Sequence, residues 1–326
     1  MVDERGGVRF FSVTDAEHYL GLVAMVRSLR LQGHRDALTV LDVGLTAEQR
    51  RALPAGVHAV HRTEADGRHP FLLSPFAALL DHRGTVVVID SDVIVTASLA
   101  PVLADAQRGQ VCAAPDRLPD RWFAEWESLF ELGAPLRRQV YVNAGFVAFD
   151  TAHHPDLLAR WWKCCDGLVG RAEVGMPRSD PRSLLDQDAL NALLMSEVGA
   201  ERLSFLAAET AIQGRTRLAR TRVVDRRRLA CRYEGHATVL LHAIGNPKPW
   251  QREAQPALRR TAYVLCLREL LARRPPATEY APAWLRPGSA GRAALEVTVA
   301  AASARRWWSD ARRAAGRLRR RLRAPS

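Results

Sequence analysis

The chain has 326 residues, 48% hydrophobic and 25% charged, which fits a soluble globular protein with a full core and excludes a disordered or fibrous chain. Its net charge of +12 is concentrated at one end: residues 301–326 hold nine arginines against Asp310, contribute +8 and leave only about +4 on the first 300 residues. A near-neutral body with no recognition fold beside the basic segment argues against nucleic acid as a partner.

Five cysteines, Cys112, Cys164, Cys165, Cys231 and Cys266, follow no zinc or redox spacing and read as reduced core thiols. Met1–Arg5 lacks the apolar segment of a secretory signal, and no apolar run reaches the length of a membrane span. The expectation is a cytoplasmic protein.

In chain order, Val8–Val13 reads as a strand, Glu17–Leu31 as a helix and Ala37–Val43 as a second strand. Thr46 with Gln49 forms a capping box for a short helix. Val57–Val60 gives a third strand, and Phe71–Asp81 a helix. Thr85–Ile89 is short, β-branched and unbroken, the pattern of a strand buried on both faces of a parallel sheet. Strands follow at Gln110–Ala114, Ala144–Phe149 and Val239–Ala243, with helices at Pro155–Cys165, Asp186–Val198 and Pro256–Ala272. This alternation predicts an α/β fold built on a mixed, mostly parallel sheet flanked by helices. Pro275, Pro276, Pro282 and Pro287 mark a linker over 276–290. The tail beyond it carries Trp307, Trp308, Leu318 and Leu322 among its arginines, and reads either as an interfacial helix on an anionic membrane or as a disordered basic end.

The chain has neither a Gly-x-Gly-x-x-Gly turn nor a P-loop. Chemistry is sought instead at the end of the Thr85–Ile89 strand, where Asp90 and Asp92 flank Ser91. In extended backbone the two carboxylates point the same way, at the sheet edge where open α/β folds hold ligands. Hard oxygen donors suit Mg²⁺ or Mn²⁺ carrying a phosphorylated substrate, although such a pair also serves simply to cap a following helix.

Four further segments accompany the pair. Ser12, Thr14 and Asp15 end the first strand with Tyr19 beyond, and could hold a nucleoside or cap the next helix. Asn143-Ala144-Gly145 sets an amide beside small residues, either as a binding edge or as a turn. Asp186-Gln187-Asp188 opens a helix whose dipole already favours acids, leaving Gln187 to point its amide oxygen into a site. His242 ends a late strand before Gly245, Lys248, Pro249 and Trp250, offering a nitrogen ligand and a cation for phosphate, or a structural histidine.

Asp90-Ser91-Asp92, Asn143-Ala144-Gly145, Asp186-Gln187-Asp188 and His242-x-x-Gly245-x-x-Lys248-Pro249-Trp250 occur together in the order and rough spacing of one family. Over residues 8–270 the chain resembles glycosyltransferase family 8, the retaining nucleotide-sugar transferases that include glycogenin and bacterial lipopolysaccharide galactosyl- and glucosyltransferases. The resemblance implies a single GT-A domain over about 1–275, a UDP-sugar donor, and a glycan, lipid-linked or small-molecule acceptor. It implies that Asp90, Asp92 and His242 hold Mn²⁺ or Mg²⁺ on the donor diphosphate, with Gly245 and Lys248 touching that diphosphate. Ser12, Thr14 and Tyr19 would lie around the nucleoside, and Ser91 beside the donor. Asn143, Ala144, Asp186 and Gln187 would surround the transferred sugar, with Asp188 a further catalytic candidate. Retention then requires either a covalent intermediate or attack from the leaving-group face; an amide is a poor nucleophile, which favours the latter. Ser74 stands where family members often carry a basic residue before the proline. The alternatives are a degenerate transferase-fold binding protein and a sugar nucleotidyltransferase, the latter opposed by the lack of a Gly-rich basic loop at residues 10–17.

Overall fold

The computed structural model describes residues 7–62, 69–80, 82–251, 258–272, 280–286, 288–294 and 297. Its main sheet is built from β1 (Arg9–Thr14), β2 (Ala37–Asp42), β3 (Val57–His61), β4 (Thr85–Ile89), β6 (Val111–Pro115), β7 (Val142–Asp150) and β8 (Leu203–Phe205), in the order β3-β2-β1-β4-β7-β6-β8. Only β7 runs antiparallel to its neighbours β4 and β6. The sheet is therefore mixed and mostly parallel, as the alternating pattern predicts. β4 and β7 are buried along their whole length, which accounts for their near-continuous apolar sequences.

Helices α1 (Tyr19–Leu31) and α3 (Ala100–Gln107) face one side of the sheet, while α5 (Leu157–Asp166) and α6 (Asp186–Ser196) face the other. All eleven residues of α6 are buried, including its polar first turn. The short helix α2 (Ala47–Arg51) carries the expected capping box, with the Gln49 backbone N–H donating to Thr46 Oγ1 and the Thr46 N–H donating back to Gln49 Oε1. Another short helix, α4 (Trp126–Leu129), precedes β7.

The helix expected over 71–81 is instead two 3₁₀ turns, Pro70–Leu73 and Phe76–Leu79. Pro75 lies between them; without an N–H, and with its ring against the preceding turn, it prevents one continuous helix. Helix α8 (Ala262–Ala272) covers the later part of the expected 256–272 segment. Of the expected linker, residues 280–286 and 288–290 are described: Ala281, Trp284 and Leu285 are buried in a second core with α8, and the Tyr280 ring packs edge-on against Tyr19. Residues 301–326, including the basic tail, lie outside the described residues. No described helix is long and apolar enough to cross a membrane.

Two small sheets complete the fold. In one, β13 (Leu240–His242) lies between β5 (Val93–Val95) and β9 (Ala211–Gln213), antiparallel to β5 and parallel to β9. The other joins β10 (Arg222–Asp225), β11 (Ala230–Tyr233) and β12 (His236–Ala237), preceded by α7 (Arg215–Arg220). The pairing of β13 with β5 sets His242 opposite Val93, one residue beyond Asp92. All five cysteines are buried, and none is in a disulfide.

Candidate functional site

A cleft of about 650 Å³ opens where β1 and β4 end and the antiparallel β7 begins. Its floor is the turn after β4. The strand stops at Ile89, and the Val93 N–H closes a turn on the Asp90 carbonyl. Asp90 and Asp92 thus converge through a turn rather than through strand alternation. Asp90 stays partly open to the cleft, while the Asp92 side chain is only 5% exposed.

The β13–β5 register carries His242 to this turn. Its Nε2 lies 3.0 Å from Asp92 Oδ1 and 3.4 Å from Asp90 Oδ2. Lys248 Nζ reaches Asp92 Oδ2 at 2.5 Å. Burial penalises the Asp92 charge, but Lys248 and His242 outweigh it and hold the carboxyl far below the usual range. Burial likewise opposes a His242 imidazolium, yet Asp92 and Asp90 raise its pKa to about 9. The donor atoms of Asp90, Asp92 and His242 all lie within 4.8 Å of one another.

Gly145 on β7 leaves the space above this cluster. A Cβ there would stand 2.3 Å from His242 Cε1, 2.6 Å from Asp90 Oδ2 and 2.9 Å from Asn143 Oδ1. Two carboxylates and an imidazole around a cradle that a single methyl would fill make a donor set and a space that fit a divalent ion such as Mn²⁺ or Mg²⁺.

Trp250 secures the lysine loop. Its Nε1 donates to the Glu17 carbonyl at 2.8 Å, and its ring lies against Gly21 of α1, where a Cβ would come within 2.5 Å of it. Gly245 has φ +86° with open space around it, a left-handed residue at the cleft rim.

Of the residues expected around the donor, Thr14, Ser91, Asn143, Ala144, Gly245 and Lys248 line the cleft. Ser12 and Tyr19 do not. Ser12 points into the layer beneath α1, 1% exposed and with Oγ unpartnered. Tyr19 is fully buried in the α8 core and donates to the Ala52 carbonyl at 3.0 Å, because its place at the start of α1 turns it toward the protein interior.

At the start of α6, Asp186 and Gln187 line the cleft. The Gln187 amide oxygen does not face the cleft contents as expected; it accepts from Asn143 Nδ2 at 2.9 Å and from the Ala144 N–H at 3.2 Å. Burial and the nearby Asp90 charge push the Asp186 carboxyl well above its ordinary value, against a hydrogen bond from Ser74. Leu185, just before it, has φ +50°, a backbone that non-glycine residues rarely adopt.

Asp188 is diverted altogether. Its two oxygens accept from Arg121 Nε and Nη2 at 2.7 and 2.8 Å, and Oδ1 accepts from the Tyr141 hydroxyl at 2.6 Å. The same guanidinium also donates to the carbonyls of Arg178 and Asp180 and to the Ser183 hydroxyl. Asp188 therefore ties the 178–188 segment to the fold and does not line the cleft.

Two histidines of the cleft wall were not singled out from sequence. His18 Nδ1 lies 2.8 Å from Asp15 Oδ1, and the His69 ring packs tilted against Phe71 at 4.7 Å between ring centroids. The three-residue spacing of Asp15 and His18 after a strand end was the available signal for the first; the second has none.

The acid pair at the end of β4, the antiparallel β7 beside it and the sheet order belong to an α/β fold that matches GT-A-like glycosyltransferase structures. Among solved structures, the bifunctional glycosyltransferase WbbM aligns over 86% of this chain and 52% of its own, with a TM-score of 0.53 at 17% identity. The galactosyltransferase LgtC, solved with donor and acceptor sugar analogs, aligns over 83% of this chain and 99% of its own, also with TM-score 0.53 at 17% identity. An active-site variant of LgtC gives 0.51 at the same identity. The chain thus spans about half the length of WbbM and nearly all of LgtC. No family model matches the chain, and no curated protein matches it.

Proposed function

We propose that this chain is a metal-dependent, retaining glycosyltransferase that moves a hexose from a UDP-sugar to a glycan, lipid-linked or small-molecule acceptor. The observation that carries the reading is the convergence of Asp90, Asp92 and His242 beneath Gly145, with Lys248 alongside, at the floor of the cleft. The fold shared with LgtC, a galactosyltransferase solved with sugar analogs, supports it.

Asp90, Asp92 and His242 would hold Mn²⁺ or Mg²⁺, which supplies Lewis-acid neutralisation of the diphosphate as the nucleotide leaves. Lys248 adds a fixed positive charge beside the same group, and its link to Asp92 keeps it in place. Thr14, Ser91, Gly245, Asn143, Ala144, Asp186 and Gln187 line the cleft; the first three would face the nucleotide and the other four the transferred sugar.

The same geometry supports attack from the leaving-group face. A covalent route needs a free nucleophile beneath the sugar. The Gln187 oxygen is taken by two N–H donors, Asp188 is held by Arg121 and Tyr141, and the environment of Asp186 favours a protonated carboxyl. The leaving phosphate would then take the acceptor's proton.

The deciding experiment measures UDP release from a panel of UDP-sugars with and without Mn²⁺. Metal-dependent release that chelation abolishes is expected, with an α-linked product by NMR once an acceptor is found. Absence of metal-dependent release across the panel would leave a degenerate binding protein. Mass-spectrometric capture of a glycosyl adduct on Asp186 or Asp188 would refute same-face attack.

A further inference from the structure

The charge of the folded body is not spread evenly. Residues 215–234 hold eight arginines against Asp225 and Glu234, a net +6. With +8 in residues 301–326, the remaining 280 residues together carry −2. The positive charge of the body therefore lies in one element, α7 with the β10–β11 hairpin.

The hairpin has two unlike faces. Val223, Cys231 and Tyr233 pack into the core with α8. Arg222, Val224 and Arg232 are exposed, Val224 at 63%. The register sets Arg222 directly opposite Arg232, so two guanidinium groups share the exposed face of the hairpin. Arg226, Arg227 and Arg228 are exposed at the hairpin turn. Arg220, Arg222 and Arg232, with Glu234, line a recess of about 590 Å³. Guanidinium groups suit phosphate through their planar fork of donors.

We propose that this face docks the protein onto an anionic lipid bilayer, with the arginines on headgroup phosphates and Val224 inserted among them. An apolar side chain held out amid arginines matches the polar–apolar boundary of a bilayer, and has no role on a purely polar polyanion. The basic tail is excluded as the occupant by like charge. The face also adjoins the cleft, since Arg215 donates to the Asn246 carbonyl at the cleft rim. Docking does not depend on the glycosyl-transfer reading; if both hold, a lipid-linked acceptor would meet the cleft at the bilayer surface.

The test is co-sedimentation of the full chain with phosphatidylcholine vesicles, with and without phosphatidylglycerol. Binding only to the anionic vesicles is expected. The triple variant Arg222→Gln, Arg228→Gln, Arg232→Gln should lose about fivefold per arginine, on the order of a hundredfold together. The corresponding Arg→Lys triple should keep most of the binding, and Val224→Ser should weaken it without a change in thermal midpoint. Equal binding to neutral vesicles, undiminished binding by the Gln triple, or displacement from vesicles by a short single-stranded RNA would each overturn the proposal. Should the Gln triple fail to fold, Val224→Ser, which leaves the basic tail unchanged, still decides it.

Discussion

Replacing Gly145 with alanine should lower metal-dependent activity about a hundredfold while leaving the fold in place. The added Cβ would lie 2.3 Å from His242 Cε1 and 2.6 Å from Asp90 Oδ2. Carbon atoms settle at ~3.5–4.0 Å, so the imidazole must retreat by more than about 1 Å or β7 must shift. Neither is easy: β7 is buried along its length and paired on both sides, and His242 is 6% exposed within its own ladder. Metal–ligand distances tolerate only about ±0.2 Å, so a displaced His242 no longer coordinates. A misplacement of that size costs about a hundredfold, or roughly 2.7 kcal/mol of transition-state stabilisation. The assay is UDP release from a UDP-sugar across a Mn²⁺ titration, with Mn²⁺-induced thermal shift as the binding readout. A variant with unchanged turnover and unchanged metal dependence would refute the assignment of the Gly145 cradle as the ion's place.

Lys248 is one of two lysines in a chain with 45 arginines, and the buried one of the two. A compact ammonium fits beside Asp92 where a planar guanidinium would not, so Lys248→Arg should lower kcat at least about tenfold; wild-type kcat in that variant would refute the packing argument. Arg121→Gln should destabilise by about 3–5 kcal/mol in urea denaturation, because it leaves the Asp188 charge buried with a hydroxyl and a backbone N–H as its remaining donors; a loss below about 1 kcal/mol would show the latch to be redundant. His34 Nε2 accepts the Leu99 N–H at 2.8 Å, and burial lowers its pKa from 6.5. Protonation therefore favours the unfolded state, so stability should be complete above pH 6.5 and fall as pH drops below it toward the lowered folded value. His34→Gln should flatten that slope in denaturation curves recorded across the same range, and an unchanged slope would locate the titration elsewhere.

Much of the fold was legible because its signals are local. Thr85–Ile89 announced a doubly buried strand through five β-branched or apolar residues in a row, and Thr46 with Gln49 announced a capped helix. The 3₁₀ break at Pro75 was legible in principle, since the proline stands inside the expected helix. Among the site residues, the acid pair and the helix-opening Asp186-Gln187 were visible as types at fixed spacing. Tyr19 and Ser12 turn away from the cleft: Tyr19 opens α1 and faces the α8 core, and Ser12 sits inside β1 on a buried position. Asp188 is diverted by a distant partner: nothing in 186–188 reveals that Arg121, 67 residues earlier, claims it.

By itself the sequence determined six of the seven main-sheet strands, the helices α1, α2, α5, α6 and α8, the buried character of β4, and the presence of the acids, amides, histidine and lysine that a donor site needs. These follow from periods of two and 3.6 residues and from side-chain chemistry, both written into short stretches of chain. Tertiary structure alone decided how they combine. Antiparallel pairing of β13 with β5 brings His242 to Asp92, 150 positions earlier in the chain, and a glycine on a third strand leaves room between them. The pairing of Arg222 with Arg232 likewise gathers a body that is near neutral on average into one basic face. Such pairings are set by which surfaces bury together, and that depends on residues far apart in the chain.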